Sequence, residues 1–440
     1  MTQKTSNLKR YAGLDIAKES IFACIVDATG LKVEERFDTK TNDLKKLSIW
    51  LKDHEVSEVA LENTGIYSEP VIKILKSKYK LMVVNASDTK RSNKKKTDSD
   101  DAWWLAELLK AGSIGKGRKI EISYLKDETQ TGLKKLTRLR TKYTKSATTH
   151  KNRISKIFTR QNIKIFDLFK QNKYTKTSIQ IYLAIAEEKS FNELSTDLKE
   201  KRNSGTRGEK VVCTRVINFI QKNDIAIKKA LKSGVVNELP REDKIELLLT
   251  LNNLQLIQDS IQILENEINS IMKSNQQYLD AIEIITTIPG IGEATAPQIL
   301  AEIPPIEHFS SAEQFSSYSG LTPRISQSAE VRHLGSITKR GPKYLREALY
   351  QSAKIASMQK DSSLGKRFSR LYKRKGKGKG KIVWIAIARQ ITRLIYTLLS
   401  RKEKYKDYGY RTKPWRLARK KLERMTIQEI SNELKMKNYH

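Results

Sequence analysis

The sequence predicts an N-terminal α/β domain followed by a mostly α-helical remainder. Short apolar runs that alternate with helical patterns fill the first 115 residues, whereas long helical spacings dominate from about residue 125 onward. Near residue 288 a glycine-containing turn opens a further, mainly helical region. We therefore expect four segments, which cover residues 1–115, 116–275, 276–400 and 401–440.

In the first segment, YAGLDIA, SIFACIVDATG and LKVEERF are short apolar runs joined by turns, which is typical of a three-stranded meander. A helical stretch near residues 44–53 leads to the short strand pattern EVALEN. EPVIKILKSKY then has helical spacing, and KLMVVNA is typical of a buried strand. Together these elements predict a mixed central sheet flanked by helices.

In the second segment, two long helices are predicted from their apolar faces, and residues 190–212 between them are expected to contain a loop. The spacing of the second helix fits either a coiled-coil seam or an amphipathic helix packed within its own chain, and it favours neither. The first face carries Leu133, Leu136, Tyr143, Ala147, Ile154 and Ile157, with Arg140 and His150 at two of its positions. The second face carries Leu254, Ile257, Ile261, Leu264, Ile268 and Ile271.

In the third segment, IPGIGEATAPQIL is typical of a helix–hairpin–helix, in which a Gly-x-Gly turn joins two short helices. Gly290 and Gly292 carry no side chain, so their backbone N–H groups can approach a phosphate, although an ordinary turn is the alternative. LYKRKGKGKGKI predicts a basic hinge, and the apolar run after it predicts a core helix. The basic, aromatic-containing tail fits either stacking on RNA or a disordered chain end.

The charge of the chain indicates a polyanionic partner. Its 84 lysines and arginines outnumber 49 acidic residues, for a formal net charge of +35, and they recur in every segment. Nucleic acid is the first interpretation, and an anionic membrane surface is the weaker one, because no apolar run approaches the roughly 20 residues of a spanning helix. The polar N-terminus does not resemble a signal peptide. Cys24 and Cys213 are expected in the core, and the scattered histidines argue against a zinc site.

Four carboxylates are placed where a divalent metal ion can be held. Asp15 and Glu62 each end a predicted strand, and Asp98 and Asp101 share one face of the helix TDSDDAWWLAELL. Each acid alone is more simply a strand-end or helix-start cap, but the set favours a metal ion that acts on phosphodiesters. Asp100 points to another face and is predicted to be solvated.

Hydroxyl groups and cations are dense in FSSYSGLTPRISQSAEVRHLGSITKRGPKYLREALY. A serine among arginines suits a phosphoryl-transfer nucleophile, yet spacing alone favours a phosphate-binding loop without covalent chemistry. The residues expected to contact nucleic acid are Lys94, Lys95, Lys96, Gly290, Gly292, Arg324, Arg332, Lys339, Arg340 and Lys343.

The motifs GLDIAKES, LENTGIY and KTDSDDAWWLAEL resemble the N-terminal RuvC-like domain of the DEDD transposases of insertion sequences, family one-ten, which are bridge-RNA-guided recombinases. The resemblance covers most of residues 10–110 and implies an RNase H-like fold. It also implies that Asp15, Glu62, Asp98 and Asp101 are the metal ligands, with Mg²⁺ as the ion and Mn²⁺ as an alternative.

A second stretch, from about residue 283 to 355, resembles the C-terminal transposase domain of the same family through GLTPR, a serine and an ITKRG element followed by LR. The nucleophilic serine of the family falls on Ser328. The family usually has glycine after this serine, whereas this chain has Ala329, and Ser326 is an alternative nucleophile.

The resemblance implies an RNA-guided DNA transposase in which a structured guide RNA pairs with donor and target DNA. It implies a cytoplasmic, nucleoid-associated prokaryotic protein without a membrane partner, and a homo-oligomer of two to four chains whose metal and serine come from different subunits. The coiled-coil region would assemble the protomers. Two alternatives are a hydrolytic RuvC-like nuclease of the junction-resolvase type, with water as nucleophile, and a nucleic-acid-packaging or RNA-binding protein without catalysis.

Overall fold

A computed structural model of the chain forms two compact units, residues 1–127 and 128–440. The side chains of residues 325–328 and 331–334 are not described. The structure describes residues 9–85, 89, 98–114, 120, 124–125, 127–169, 171, 173–232, 234, 239–328, 331–376 and 378–407.

The first unit contains a five-stranded sheet in the order β3-β2-β1-β4-β5. The first three strands form the predicted antiparallel meander, β4 adds to it parallel to β1, and β5 adds parallel to β4. This mixed sheet is confirmed and is consistent with an RNase H-like domain. The strands are β1 (Arg10–Ile16), β2 (Ser20–Val26), β3 (Lys32–Asp38), β4 (Val56–Glu62) and β5 (Lys80–Val84).

Helices cover both faces of this sheet. Helices α1 (Thr41–Asp53) and α2 (Ser68–Leu75) bury Leu47 and Val71 against one face, where they meet alternate residues of the central strands such as Leu14. Helix α3 (Asp98–Lys110) packs on the opposite face. The alternation of side chains along β1 therefore assigns Asp15 to the face that α3 covers.

Two helices of 33 residues each, α4 (Glu128–Arg160) and α8 (Arg241–Lys273), run antiparallel in the second unit. Arg140 pairs with Glu265 toward one end of the pair, and Arg160 pairs with Asp243 at the other. Leu254 from the predicted seam is buried in the same core as residues of α4. This seam is therefore used inside the chain, and an assembly role across protomers stays a prediction.

The segment between the two long helices is itself helical. It holds a short 3-10 helix (Ile165–Leu168), α5 (Lys176–Ala186), α6 (Phe191–Ser204) and α7 (Arg207–Lys232). The loop expected within residues 190–212 is reduced to the residues around Gly205. A capping box between Ser190 and Glu193 starts α6, which explains why a Lys- and Ser-rich sequence is helical here.

The C-terminal part of the second unit is mainly helical, as predicted, and packs around one core. A β-hairpin in its middle was not predicted, because its polar strands show little alternation. The elements are α9 (Gln276–Thr286), α10 (Ala296–Glu302), a 3-10 helix (Ile306–His308), α11 (Ala312–Tyr318), β6 (Pro323–Ser328), β7 (Val331–Ile337), α12 (Lys343–Met358), α13 (Ser363–Lys375) and α14 (Gly380–Arg401).

Helix α14 is the one helix of the described ranges that is long and apolar enough to cross a membrane by length and composition, so the expectation that no apolar run approaches this length was wrong. Ile387, Ile391 and Ile395 are fully buried in the C-terminal core. The expectation that this apolar run forms a core helix is confirmed.

Candidate active site

The parallel pairing of β1 and β4 brings two of the four predicted acids to one edge of the sheet. Leu14 is paired with Leu61, so Asp15 and Glu62 follow at the carboxyl ends of neighbouring strands. Both acids are half-buried. Strand ends of this kind are where α/β sheets carry their functional groups.

A close contact at Gly13 brings the other two acids to the same place. A Cβ atom on Gly13 would lie 2.0 Å from the carbonyl oxygen of Ala102, so only glycine lets α3 lie this close to β1. Asp98 lies one helical turn before Ala102, and Asp15 lies two residues beyond Gly13 on the same side of the strand. The contact therefore places the first turn of α3 beside the end of β1.

The carboxylates interact electrostatically. The pKa of Asp15 is raised from 3.8 to about 6, first by burial and then by the negative charges of Asp98, Asp101 and Glu62. A cation bound among these groups would offset the accumulated negative charge. This electrostatic effect agrees with the strand pairing and the Gly13 contact, which bring the four acids near one another.

No group of three or more acidic, histidine or cysteine side chains in the described part of the chain is arranged closely enough to hold a metal ion as it stands. Carboxylates repel one another, and a bound cation would offset this repulsion and allow the four groups to lie closer together. Their hard oxygen donors fit Mg²⁺ or Mn²⁺. The exposed Asp98 also suits the first turn of a helix through the helix dipole, independently of any metal.

A buried threonine that the sequence did not single out holds one of the acids. The Thr89 hydroxyl donates a hydrogen bond to the carboxylate of Glu62, and Thr89 is 4% exposed. Its carbonyl oxygen accepts a hydrogen bond of 2.9 Å from the indole nitrogen of Trp104, which belongs to α3. Thr89 thus links Glu62 to the helix that carries Asp98 and Asp101.

The other side of the start of α3 faces β3. The Ser99 hydroxyl donates to a Glu34 carboxylate oxygen at 2.8 Å. The pKa of Lys32 is raised, first by its hydrogen bond with Glu34 and least by the negative charge of Asp100. Asp100 is half-buried and so less solvated than predicted. Its charge is not among those that raise the pKa of Asp15, in agreement with the expectation that it points elsewhere.

The two candidate nucleophiles lie at alternate positions of β6, where Ser326 pairs with His333 and Ser328 pairs with Val331 of β7. Their side chains lie outside the described part of the structure, as does that of Arg332. The choice between the two serines therefore stays a prediction.

The residues expected to contact phosphate differ in their surroundings. A Cβ atom on Gly290, which has a φ of +92°, would lie 2.1 Å from the Ser352 carbonyl oxygen of α12, so packing alone requires this glycine. Gly292 is exposed, with open space where a Cβ would lie. Lys94, Lys95 and Lys96 lie outside the described residues. Four of the expected residues have exposed side chains that form no ion pair within the described part of the chain, namely Arg324, Lys339, Arg340 and Lys343.

Comparison with known proteins gives two family matches on separate segments. One protein-family model, for the DEDD transposases of IS110 and described as Transposase, matches residues 12–162. A second family model, described as Transposase IS116/IS110/IS902 family, matches residues 282–370. The chain is similar to the pilin gene-inverting protein of Moraxella bovis, with 31% identity over 38% of this chain and 53% of the relative.

Two further relatives are more distant. A probable family 20 transposase of Pseudomonas aeruginosa is 28% identical over 35% of this chain and 46% of its own length. The transposase for insertion sequence element IS1111A of Coxiella burnetii is 28% identical over 32% of this chain and 38% of its own length. The chain spans about half the length of the curated relatives it matches first.

The two family matches contain the two parts of the predicted site. The first includes Asp15, Glu62, Asp98 and Asp101, and the second includes Ser328. Both occur in the order that the motifs indicate. The chain therefore belongs to the DEDD transposases of the IS110 family.

Proposed function

We propose that this protein is a DNA transposase that cuts and rejoins the strands of an insertion sequence. A divalent metal ion held by Asp15, Glu62, Asp98 and Asp101 and a nucleophilic Ser328 would perform the reaction. The observation that carries this proposal is the contact at Gly13, because it places the first turn of α3, with Asp98 and Asp101, beside the strand ends that carry Asp15 and Glu62. The names of the Moraxella and Coxiella relatives, which refer to gene inversion and to an insertion sequence, support the reaction class.

The residues of the proposed site have separate roles in the reaction. The DEDD type of domain indicates dependence on a divalent metal ion in general, and we propose Mg²⁺, which would stabilise negative charge on the scissile phosphate when bound. Thr89 keeps one oxygen of Glu62 in place through its hydroxyl. The exposed Arg324 and Arg340 would bind flanking phosphates, which restricts how the DNA strand can lie.

The serine step is a transesterification. The Ser328 oxygen forms a bond to phosphorus and loses its proton, while the bond to one strand oxygen breaks and that oxygen leaves as a hydroxyl group. One phosphodiester bond replaces another, so the energy of the bond is retained for rejoining and no water is consumed. Attack by a strand hydroxyl group on the phosphoserine reverses the step and joins the new partners.

The proposed partners are donor DNA, target DNA, a structured guide RNA and further copies of the same chain, acting in the cytoplasm. The net charge of +35 supports extensive contact with phosphate backbones. With a guide RNA, base pairing would select the sequence, and the protein would bind backbones.

The experiment that tests this proposal combines the purified chain, its co-transcribed flanking RNA, Mg²⁺ and labelled donor and target DNA on a denaturing gel. We expect a slowly migrating protein–DNA adduct that requires RNA and is lost in Ser328→Ala but kept in Ser326→Ala. Cleaved DNA that carries no adduct and survives Ser328→Ala would instead identify a hydrolytic nuclease. DNA binding without any cleavage in wild type would identify a packaging protein.

A further inference from the structure

Helix α13 separates apolar and basic residues onto opposite sides. Leu364, Phe368 and Leu371 pack in or against the C-terminal core. Lys366, Arg370 and Lys373 are exposed and follow one another at helical spacings of four and three residues. They form a stripe about 10 Å long, at about 1.5 Å of rise per residue.

This stripe lies in a stretch of sequence without acidic residues. No aspartate or glutamate occurs between Asp361 and Glu403. Lys366 and Lys373 form no ion pair within the part of the chain that the structure describes. Their charges are therefore not neutralised by the neighbouring helix surface.

Two acids near this region have contacts with residues outside the stripe. Glu313 pairs with Arg393 of α14 at 2.8 Å. Asp407 accepts a hydrogen bond of 2.9 Å from the backbone nitrogen of Ser363, at the N-terminal end of α13. Neither of these two contacts involves Lys366 or Lys373.

The cations of α13 and α14 are close enough to affect one another. The pKa of Arg367 is lowered by burial first and then by the positive charges of Arg370 and Arg393. One turn before Arg393, the Nε atom of Arg389 is buried and has no hydrogen-bond partner in the described structure. Like charges held together cost stability, so a bound polyanion would relieve this repulsion.

The same residues also form a concave surface. Lys366, Arg370 and Lys373, with Lys360 and the Ser369 hydroxyl, line a depression of about 340 Å³. Four cations and one hydroxyl group are donors suited to phosphate oxygens. The basic residues at the C-terminal end of α13 also suit the helix dipole, but that effect acts within the last turn and does not explain Lys366.

We propose that this surface, formed by Lys360, Lys366, Ser369, Arg370 and Lys373, binds the phosphate backbone of duplex DNA without reading its sequence. The inference rests on the proposed function for its choice of DNA, because the matched transposase segment extends to residue 370 and so includes most of α13.

The aromatic residues beside the stripe favour a duplex over a single strand. The rings of Phe368 and Tyr372 are stacked at 5.7 Å, and Phe368 is also stacked on Trp384 at 5.9 Å. Single-stranded recognition relies on aromatic faces that are free to stack with bases. These rings are occupied with one another, so the stripe offers backbone contacts only.

The test measures the affinity of the full chain for a mixed-sequence DNA duplex by fluorescence anisotropy, in EDTA, without RNA, across a series of salt concentrations. The variant carries Lys366→Gln, Arg370→Gln and Lys373→Gln. We expect weaker binding and a decrease of about 3 in the slope of log affinity against log salt, about 1 for each lost phosphate contact. Because no cleavage is required, this result is independent of whether the protein is a transposase.

The matched control removes the same charge elsewhere, through Lys199→Gln, Lys201→Gln and Arg202→Gln on the exposed side of α6. An equal loss in the control would overturn the proposal, because net charge rather than this surface would then set the affinity. An unchanged slope in the α13 variant, with its helical circular dichroism intact, would also overturn it. The same titrations with duplex RNA and single-stranded DNA complete the test, and a loss confined to either of them contradicts a duplex DNA site.

Discussion

Arg138 of α4 holds the fully buried carboxylate of Glu302 of α10 through two hydrogen bonds, with Nε–Oε1 at 2.5 Å and Nη2–Oε2 at 2.9 Å. The same guanidinium lies over the ring of Tyr344, 4.9 Å from its centre. The backbone oxygen of Glu302 accepts a hydrogen bond from the Tyr318 hydroxyl. The first long helix is thereby joined to the C-terminal core.

Arg138→Met should lower the free energy of unfolding by about 2–4 kcal/mol, because it leaves a buried carboxylate without a partner. Urea unfolding followed by circular dichroism measures this loss. Arg140→Met is the matched control, since its partner Glu265 is 35% exposed and the loss should stay under about 1 kcal/mol. Equal decreases in the free energy of unfolding of the two variants would contradict the prediction, because the burial of Glu302 would then make no difference.

Asp15→Asn should raise the melting temperature in EDTA at pH 7.5. The pKa of Asp15 in the folded protein is about 6, above the ordinary 3.8, so the folded state binds the proton more tightly than the unfolded state. The folded protein therefore becomes less stable as pH rises from about 4 to about 6. Asparagine does not ionise, so the variant does not undergo this loss of stability. The two proteins should converge near pH 4, and Mg²⁺ should raise the melting temperature of wild type more than that of the variant.

Gly13→Ala should destabilise the first unit and reduce metal-dependent cleavage. The new Cβ would meet the Ala102 carbonyl oxygen at 2.0 Å, so α3 has to move away from β1 and carry Asp98 and Asp101 with it. Thermal unfolding and cleavage as a function of Mg²⁺ concentration measure the two effects. Gly132→Ala is the control, because its Cβ meets nothing within 4 Å in a helix, and stability should stay equal or rise by about 0.5–1 kcal/mol.

Thr89→Val should raise the metal concentration needed for half-maximal cleavage by about 10-fold, because Glu62 loses the hydroxyl that orients it. Thr89→Ser keeps the hydroxyl and should restore the wild-type value. Binding of Mn²⁺ measured by electron paramagnetic resonance reports the same change without cleavage. A purely structural role for Thr89 would instead leave the apparent metal affinity equal in the valine and serine variants.

A mixture of Asp15→Asn and Ser328→Ala chains should regain cleavage that neither chain shows alone, if metal and serine come from different subunits as the family resemblance implies. In a mixed oligomer, an intact acid set of one chain would then meet the intact serine of another. Adduct formation on a denaturing gel measures the recovery. An inactive mixture, with mixed oligomers verified by differently tagged chains, would show that each protomer uses its own residues.

The sheet and the approach of the acids were predictable because they depend on local patterns. Apolar runs identify β1 and β4, and acids that end parallel strands must meet at one edge, as Asp15 and Glu62 do. The i, i+3 spacing of Asp98 and Asp101 likewise determines that they share a helix face.

Other parts of the site depend on contacts between distant segments, which no local pattern contains. The Thr89–Glu62 hydrogen bond joins residues 27 positions apart, and Gly13 is required only because α3 crosses β1 there. Gly290 shows the opposite case, in which a glycine interpreted as a phosphate contact is required by packing against α12.

The antiparallel pair α4 and α8 has a consequence for the order in which the chain folds. The core that fills the space between their far ends, from Ala147 to Leu254, is complete in sequence once α8 has been synthesised as far as Leu254. The other core needs Leu133 at its start and Leu398 at its end. During synthesis the first core can therefore form while the second still lacks α9 to α14, and released chains that end at residue 273 would expose the unfilled apolar surface of Leu133, Ile268 and Met272.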